Sequence, residues 1–422
     1  MRKLESECPA VWTNIASAVR DEFPLPAKDS AGTPVERSAL AGLYSEECSR
    51  IELLEGEYGN KAAIPIPGEV MDQYRKYRAT PLCRARGLER RLGYAGRILY
   101  KREDCNPGGS HKPNTAIPQA YYAKKQGLRT LVTDTGAGQW GVAVAFAARL
   151  FSLKCVVFMT RKSYEDKPYR VRFMRLLGAE VHPSPSGLTA HGRKLLRRSP
   201  RHRGSVGVGM GEAVEMLRTL PGSRLALGCM SYYAALHQSV IGLELVEQLR
   251  HADCRPDALI ACVGGGSNLV GFMAPFLLRA FKGMDAPEMV AAESANVPVL
   301  TRGEYRYDHA DSFGLTPKLL MYTLGHKFVP PAMHSGGLRY HGKTPLLSLA
   351  VRKGLVKAQA VGSAEAARAG RIFLECEGVL AAPESSHAIA AAIRAAAGAK
   401  REGRRKDIVF CLSGTGYLDL AG

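Results

Sequence analysis

Short apolar segments alternate with longer segments of helical pattern along the chain, and this alternation restricts the possible folds more than any other feature. Strands are predicted over 97–100, 130–133 and 154–159, and helices over 114–126, 141–150 and 169–177. Strands that alternate with helices at this spacing favour parallel sheets covered by helices on both faces. Because 422 residues exceed what one hydrophobic core usually supports, we predict an α/β fold with two domains.

Composition indicates an ordinary soluble protein, since 46% of the residues are hydrophobic and 23% are charged. No apolar run approaches the roughly 20 residues that a membrane helix requires. Residues 1–19 are too mixed for a secretion signal or a transit peptide. The ten cysteines are scattered without C-x-x-C spacing or paired histidines, so no metal site is expected. We therefore expect a cytoplasmic protein without a membrane partner.

The net charge of +19 raises the alternative of a nucleic-acid-binding protein. Two basic runs, RRSPRHR at 197–203 and KREGRRK at 400–406, carry much of this charge. Neither run contains aromatic residues for stacking on bases, and no nucleic-acid-binding module is recognisable. A solvated basic surface is the usual explanation of such runs, so no nucleic-acid partner is expected.

The most informative local sequence is residues 110–115, which read SHKPNT and follow the turn NPGG at 106–109. A turn that opens a helix presents backbone N–H groups to an anion such as a phosphate. Lys112 follows this turn, and a desolvated lysine can have its pKa lowered enough for its amine to attack an aldehyde. A phosphate, an aldehyde and a reactive lysine together indicate pyridoxal phosphate. An ordinary exposed lysine at a helix start is the alternative, so the neighbouring motifs must decide.

Two glycine-rich runs that follow apolar segments supply loops for a phosphate and a carboxylate. Residues 262–268 read CVGGGSN after the apolar segment 258–261, which predicts a strand, a loop and a helix. Glycines allow the backbone to approach a phosphate closely, and the pattern is neither the Walker sequence nor G-x-G-x-x-G. Residues 133–141 read TDTGAGQWG, a composition suited to wrapping a carboxylate with N–H groups. A third run, GVGMG at 207–211, lacks nucleotide-binding spacing and is predicted to be a loop that leads into a helix.

These motifs and several others occur in the order found in one known family. The further motifs are KPYR at 167–170, LTRGEY at 300–305, GGLRYHG at 336–342, APES at 382–385 and LSG at 412–414. The chain thereby resembles the tryptophan synthase β subunit family, most closely its second type, from about Trp12 to Asp419. The resemblance implies a fold type II pyridoxal-phosphate enzyme. Such an enzyme replaces the β-substituent of L-serine or O-phosphoserine with indole, through an aminoacrylate, to form tryptophan.

The resemblance also implies roles for individual residues around the cofactor. Lys112 would bind the cofactor aldehyde as a Schiff base and move the α-proton. Ser413 would contact the pyridine nitrogen, and a neutral hydroxyl there leaves that nitrogen unprotonated. Glu293 and Asn114 would lie beside the oxygen on the ring. The cofactor phosphate would be bound by His111, Gly264, Gly265, Gly266, Ser267 and Asn268.

The same resemblance assigns the amino acid carboxylate to a loop formed by Thr135, Gly136, Ala137, Gly138 and Gln139. Asp134 stands where the family has a glutamate that assists the leaving group and receives the proton of indole. Aspartate is one methylene shorter, so its oxygens retreat by roughly 1.5 Å, and such displacements are costly at a catalytic group. Two hypotheses follow: ordinary tryptophan synthesis, or a repurposed β-replacement with a substituted indole or another nucleophile. A non-catalytic scaffold is a third and weaker hypothesis, because a buried lysine without a cofactor would be costly.

The leaving group, hydroxyl or phosphate, stays open at this point. Four arginines are candidates for pairing with a phosphorylated serine: Arg149, Arg161, Arg170 and Arg172. The resemblance places an N-terminal domain at 1–78 and 112–240, and a cofactor-binding C-terminal domain at 79–111 and 241–422. It also implies a homodimer with two small-molecule ligands, an amino acid and a nucleophile, whereas an α-subunit-like partner stays open.

Overall fold

The computed structural model describes residues 7–23, 27–331 and 333–420. Its strands lie in two main sheets, a six-stranded sheet and a four-stranded sheet, with two small antiparallel pairs beside them. The strands are β1 (Val11–Thr13), β2 (Ala63–Pro65), β3 (Leu82–Arg84), β4 (Arg97–Arg102), β5 (Thr130–Thr135), β6 (Lys154–Thr160), β7 (Glu180–Ser184), β8 (Ser223–Leu225), β9 (Ala258–Cys262), β10 (Glu288–Ser294), β11 (Glu304–His309), β12 (Lys318–Thr323), β13 (Lys357–Val361) and β14 (Asp407–Leu412).

Helices follow most of these strands and cover the sheets. They are α1 (Arg37–Leu43), α2 (Glu46–Glu52), α3 (Glu57–Asn60), α4 (Gly68–Tyr74), α5 (Arg86–Leu92), α6 (Pro113–Lys125), α7 (Gln139–Leu150), α8 (Arg161–Asp166), α9 (Pro168–Leu176), α10 (Ala190–Arg198), α11 (Val206–Leu217), α12 (Tyr232–Gln238), α13 (Val240–His251), α14 (Ser267–Phe281), α15 (Val299–Arg302), α16 (Pro345–Arg352), α17 (Ser363–Glu377) and α18 (Ser385–Arg401). Within the described ranges, no helix is both long enough and apolar enough to cross a membrane.

The larger sheet has the order β13-β10-β9-β14-β4-β3, and its strands are parallel except for the edge strand β3. The smaller sheet has the order β7-β6-β5-β8 and is wholly parallel. The predicted α/β class with helix-covered parallel sheets is therefore confirmed. The strands of the two sheets come from 130–225 and from 82–102 with 258–412. The exact domain boundaries stay a prediction.

Side chains of the larger sheet alternate between two apolar clusters, as expected for a parallel sheet buried on both faces. In β9, Leu259 and Ala261 pack into the main core, whereas Ile260 and Cys262 pack against α17 and α18 on the other face. This double burial explains why the strand has no polar residue. It also directs the chain that leaves β9 toward the space between the two sheets.

The run at 207–211 corrects one expectation, because it lies inside α11 rather than in a loop. Glycine is unfavourable in a helix by roughly 1 kcal/mol, so its presence needs a packing reason. A side chain at Gly209 would approach the Phe158 carbonyl and the Asp134 side chain at 3.1 and 3.2 Å, and one at Gly211 would meet the Phe313 ring at 2.3 Å. The glycines therefore let α11 lie close to β5 and β6.

A buried network of four ionised side chains joins three separate segments of the chain. The guanidinium of Arg78 binds Glu244 at 2.6 Å and Glu103 at 3.0 Å, and Lys101 binds Glu244 at 2.7 Å. All four charged side chains are fully buried. Two positive and two negative charges thus balance one another without solvent.

Asn114, in the first turn of α6, is a neutral member of this network. Its amide oxygen accepts a hydrogen bond from Arg78 at 2.6 Å, and its amide nitrogen donates to Glu103 at 2.9 Å. The hydroxyl of Tyr74 donates to the Asn114 backbone carbonyl. The network therefore fixes the start of the helix that follows Lys112.

We predict that Glu244→Gln destabilises the protein strongly. Removing one partner of a buried pair costs about 3–5 kcal/mol, because the remaining charges lose their compensation. Glu247→Gln in the same helix is the matched control, since Glu247 forms an exposed pair with Arg250 that is worth at most about 1 kcal/mol. The urea midpoints of the two variants should differ clearly from each other. Equal midpoints would show that the network is not stabilising.

Candidate active site

A cavity lies where β5, β9 and β14 end, between the two main sheets. Its wall contains residues that directly follow these three strands, and ligands of α/β proteins bind at such carboxyl ends of strands. Thirteen of the residues predicted as site residues line it: His111, Lys112, Asp134, Thr135, Gly136, Ala137, Gln139, Gly264, Gly265, Gly266, Ser267, Asn268 and Ser413. Distant motifs of the sequence are thus brought together on one wall.

Lys112 occupies the N-cap position of α6, directly before the proline that begins the helix. Burial lowers the pKa of its amine, although the nearby acidic groups Glu384 and Asp134 oppose this effect. Among the described residues, the amine has no hydrogen-bond partner. A lysine with a lowered pKa and an unused amine in a cavity is suited to nucleophilic attack on a carbonyl group.

The loop from Gly264 to Gly266 passes close to other parts of the backbone and ends at the start of α14. A side chain at Gly264 would meet the Gly337 carbonyl at 2.5 Å, and one at Gly265 would meet the Cys229 sulfur at 2.4 Å. Gly266 has a φ of +117°, which favours glycine. The side-chain nitrogen of Asn268 is buried and has no partner among the described residues. Backbone N–H groups at the start of a 15-residue helix, together with this unused donor, fit a phosphate group.

Ser413 follows β14 and lies opposite this loop. Its hydroxyl is 2.8 Å from the Ser385 hydroxyl and 3.3 Å from the Cys262 sulfur. Its carbonyl is 3.2 Å from Nδ1 of His111, so Nδ1 must carry the proton. Burial lowers the pKa of His111 to about 3. A neutral His111 with this tautomer has only a lone pair on Nε2, so donation to a phosphate requires that this ring take up a proton.

The loop after β5 leads into α7, which begins at Gln139. Gly138, with a φ of +96°, forms the helix cap and contacts the side chain of Arg170 rather than the cavity. The Thr135 hydroxyl accepts a hydrogen bond from the Gly141 N–H at 3.1 Å. This arrangement presents the N-terminus of α7 to the cavity, where its backbone dipoles favour a negatively charged group.

Asp134 is fully buried at the edge of the cavity. Burial raises the pKa of its carboxyl group to about 7, against the opposing influence of Lys112. Its side chain has no hydrogen-bond partner in the described part of the chain. A carboxyl group of this kind can both donate and accept a proton near neutral pH.

Two predicted cofactor residues do not line the cavity. Glu293 accepts hydrogen bonds from the N–H groups of Leu300 and Thr301, both at 2.9 Å, and therefore serves the start of α15. Asn114 is held in the buried ion network. The placement of these two residues beside the cofactor ring stays a prediction, and in this structure their polar atoms contact protein groups outside the cavity.

Glu384 is a second carboxylate in the cavity wall, in addition to Asp134. Its oxygens accept hydrogen bonds from the Gly337 N–H at 2.7 Å and from the Gln139 amide at 3.3 Å. It thereby joins the loop before α18 to the loop after β5. The APES motif contained this residue, but its sequence context alone does not distinguish a cavity carboxylate from a helix cap.

Arg339 is a second residue that the sequence did not single out. It is 5% exposed and lies between Leu338 and Tyr340, which both line the cavity. Its guanidinium donates to the Pro330 carbonyl at 3.1 Å, and its Nε has no partner among the described residues. Burial lowers its pKa, as does the nearby positive charge of Arg203. A buried arginine without a salt bridge to a described carboxylate is an unusual and costly arrangement.

Of the four arginines proposed for a phosphorylated serine, one has another partner. Arg170 binds Asp419 in a buried pair at 2.9 Å. Arg149 and Arg172 are exposed on helices and do not line the cavity. Arg161 donates to the Pro185 carbonyl, while its buried Nε lacks a partner in the described ranges. Arg339 and Arg161 each retain a buried Nε without a partner among the described residues, although neither side chain lines the cavity.

Comparison with known proteins agrees with this geometry. Residues 74–414 match the family model described as pyridoxal-phosphate dependent enzyme. A protein of Aeropyrum pernix named tryptophan synthase beta chain 2 is 47% identical over 99% of this chain and 92% of its own length. Proteins of the same name from Thermotoga maritima and Aquifex aeolicus are each 45% identical, over 98% and 100% of this chain and 97% of their own lengths.

Proposed function

The chain belongs to the tryptophan synthase β family of pyridoxal-phosphate-dependent enzymes, and we propose that it forms tryptophan from indole and a serine-type amino acid. The family resemblance and the enzyme class predicted from the motifs are confirmed by the matches. The names of the relatives favour indole as the nucleophile over the repurposed alternative. One observation carries the proposal: the unbonded amine of Lys112 lies in the same cavity as the Gly264–Asn268 loop and Ser413.

When bound, pyridoxal phosphate supplies an aldehyde and an electron-withdrawing ring. Lys112 would hold the aldehyde covalently and carry the α-proton of the amino acid. The N–H groups of the Gly264–Asn268 loop would bind the phosphate at the start of α14, and the Ser413 hydroxyl would contact the ring nitrogen. The backbone after β5 and the start of α7 bind the substrate carboxylate.

Asp134 is assigned the proton transfers at the β-carbon. In its protonated form it donates to the departing oxygen, and in its ionised form it accepts the proton that indole loses. A pKa near 7, caused by burial, makes both forms available at neutral pH. Glu384 orients the surrounding loops through Gln139 and Gly337.

The first test of the proposal is the identity of the cofactor-binding lysine. Borohydride reduction of the holoenzyme should attach the cofactor permanently to the peptide that contains Lys112. Lys112→Ala should abolish turnover, while its circular dichroism spectrum stays that of a folded protein. Mass spectrometry that finds the label on another lysine would contradict the assignment.

The second test concerns the pH dependence of the reaction with indole. The ionised fraction of Asp134 grows as the pH rises through about 7, so kcat/KM for indole should rise over the same interval. Asp134→Asn should remove this rise and lower the rate by about 100-fold or more, as expected for loss of an acid–base group. Asp134→Glu should retain the rise. A pH profile that is unchanged in Asp134→Asn would show that another group transfers the proton.

Arg339 lies between the cavity-lining residues Leu338 and Tyr340 and has no salt bridge to a described carboxylate, and this free charge favours O-phosphoserine as the amino acid. A phosphate ester carries two negative charges near neutral pH, and arginine binds phosphate with two parallel hydrogen bonds. Arg161 also has a buried Nε without a partner among the described residues. It adds a second cation close to Arg203, because the N–H of the neighbouring Lys162 donates to the Arg203 carbonyl. A hydroxyl leaving group would make no use of these charges. We therefore infer that the phosphorylated substrate reacts more efficiently than serine.

The ratio of the two kcat/KM values, for O-phosphoserine and for L-serine, tests this inference. Arg339→Gln should lower the ratio about 10-fold, because it removes a charge-assisted hydrogen bond to the phosphate. A ratio of rates in one variant is insensitive to partial unfolding. Arg172→Gln, an exposed substitution in α9, should leave the ratio unchanged. Equal ratios in both variants would exclude Arg339 from phosphate binding.

The assembly and cellular location extend this proposal. A homodimer in the cytoplasm is what the family resemblance implies, and both statements stay predictions. Small-molecule substrates are consistent with the relatives, whereas an α-type partner stays an open question. Sedimentation of the purified holoenzyme measures directly whether the protein is a homodimer.

A further inference from the structure

A groove of about 280 Å³ lies outside the active site, against α17 and the segment before α18. One wall is a face of α17 that carries small side chains, including Ala366, Ala367 and Gly370. Leu374 extends this apolar wall and is 38% exposed. A single water needs only roughly 10–15 Å³ of such space, so the groove is large enough for a small organic molecule.

His387, on the opposite wall, has an unused hydrogen-bond acceptor. The residue is 1% exposed, and its Nδ1 is 3.0 Å from the Pro383 carbonyl. A carbonyl can only accept, so Nδ1 carries the proton, and burial keeps the ring neutral by lowering its pKa. The remaining nitrogen, Nε2, therefore holds a lone pair, and it has no partner among the described residues. A ligand with an N–H or O–H donor would satisfy it.

Arg371 provides a positive charge at the edge of the same groove. It is exposed on α17, one turn from Ala367 and from Leu374, and forms no salt bridge with a described carboxylate. His334 lies at the end of the groove. An apolar wall, an unused acceptor and a free cation thus occur in one place.

The segment that forms the wall of the groove also supports the active site. Leu380, Ala381 and Pro383 face the groove, whereas Glu384 lines the active-site cavity. The Ala382 N–H donates to the Gly414 carbonyl at 2.8 Å, directly after Ser413. A molecule in the groove therefore contacts the same short segment that positions Glu384.

We propose that this groove is a second binding site, for a small aromatic carboxylate whose ring carries an N–H or O–H donor. The ring lies on the small-residue face of α17, and its carboxylate binds Arg371. Its donor binds Nε2 of His387 after a small rotation of that side chain, because this nitrogen is buried before the ligand enters. Tryptophan belongs to this chemical class. The binding site itself does not depend on the proposed reaction, because none of these groups takes part in it.

Indole-3-propionate is a suitable probe, since it has the ring, the N–H and the carboxylate but no α-amino group for the cofactor aldehyde. Its affinity for the holoenzyme is measured by calorimetry. Ala367→Trp should fill the groove and weaken binding at least 10-fold, whereas Ala364→Trp, one turn earlier on α17 and exposed outside the groove lining, should not. Arg371→Gln should weaken binding, and Arg368→Gln, equally exposed but outside the groove, should not.

A second probe isolates the role of His387. Naphthalene-1-propionate has a similar ring without the N–H, so the native enzyme should prefer the indole probe about 5-fold or more, as one neutral hydrogen bond allows. His387→Phe should abolish this preference while binding both probes. Equal effects of Ala367→Trp and Ala364→Trp, or an unchanged preference in His387→Phe, would overturn the proposal. Dissociation of the oligomer in Ala367→Trp alone would also overturn it, since a second copy of the chain would then cover the groove.

Discussion

The buried ion network around Arg78 is the interaction on which the active site depends. It ties the segment before β3, the end of β4 and the middle of α13 to the first turn of α6 through Asn114. Lys112 immediately precedes that turn. Because Glu103 and Glu244 are balanced by two cations and satisfied by hydrogen bonds, the network is rigid rather than reactive. The position of the Lys112 amine is thus determined by charges that take no part in the chemistry.

The active site has the opposite character, since several of its polar atoms lack a hydrogen-bond partner. Among the described residues this holds for the Lys112 amine, the Asp134 carboxyl group and the buried side-chain nitrogen of Asn268, whereas the Asn268 oxygen accepts a hydrogen bond from Cys411. Lys343, fully buried behind the glycine loop, is 4.0 Å from Glu293 and has no closer partner in the same ranges. Unsatisfied buried groups are rare in proteins and concentrate where a ligand completes them. Here the Asn268 nitrogen lies in the cavity wall that also contains Lys112, Asp134 and the glycine loops.

The sequence predicts those site residues whose position follows from their immediate neighbours in the chain. Each glycine loop directly follows an apolar strand, so the chain order alone places Gly264 and Thr135 at the carboxyl ends of parallel strands. Glu293 and Glu384 cannot be separated in this way, because both follow small residues next to an element boundary, Glu293 near the end of β10 and Glu384 directly before α18. What distinguishes them is that the N–H groups at the start of α15 occupy the oxygens of Glu293, whereas Glu384 lines the cavity. The local sequence likewise does not indicate that Arg339 is buried and donates to the Pro330 carbonyl.

In the helix α11, local helix propensity predicts the wrong structure, because its glycines are needed for close packing beside Asp134. Its alternating glycines lower the helix propensity, and a loop is the natural interpretation of their sequence. In the folded chain they allow α11 to lie against the backbone of β6 and against Asp134, with Gly209 in direct contact. The space behind Asp134 is therefore closed by backbone, which cannot yield as a flexible side chain would.

This packing determines where the room left by the shorter acidic side chain must lie. Asp134 has no space to move backward against α11, so the volume of the missing methylene opens on the cavity side. In the proposed mechanism, indole must then enter the cavity more deeply, or one water molecule must transfer its proton to the carboxylate. Proton transfer through one water is compatible with acid–base catalysis, and it preserves the function of a carboxyl group whose pKa is already near neutrality. In the proposed mechanism, the shorter side chain of Asp134 thus changes the distance over which the proton moves without removing the group that accepts it.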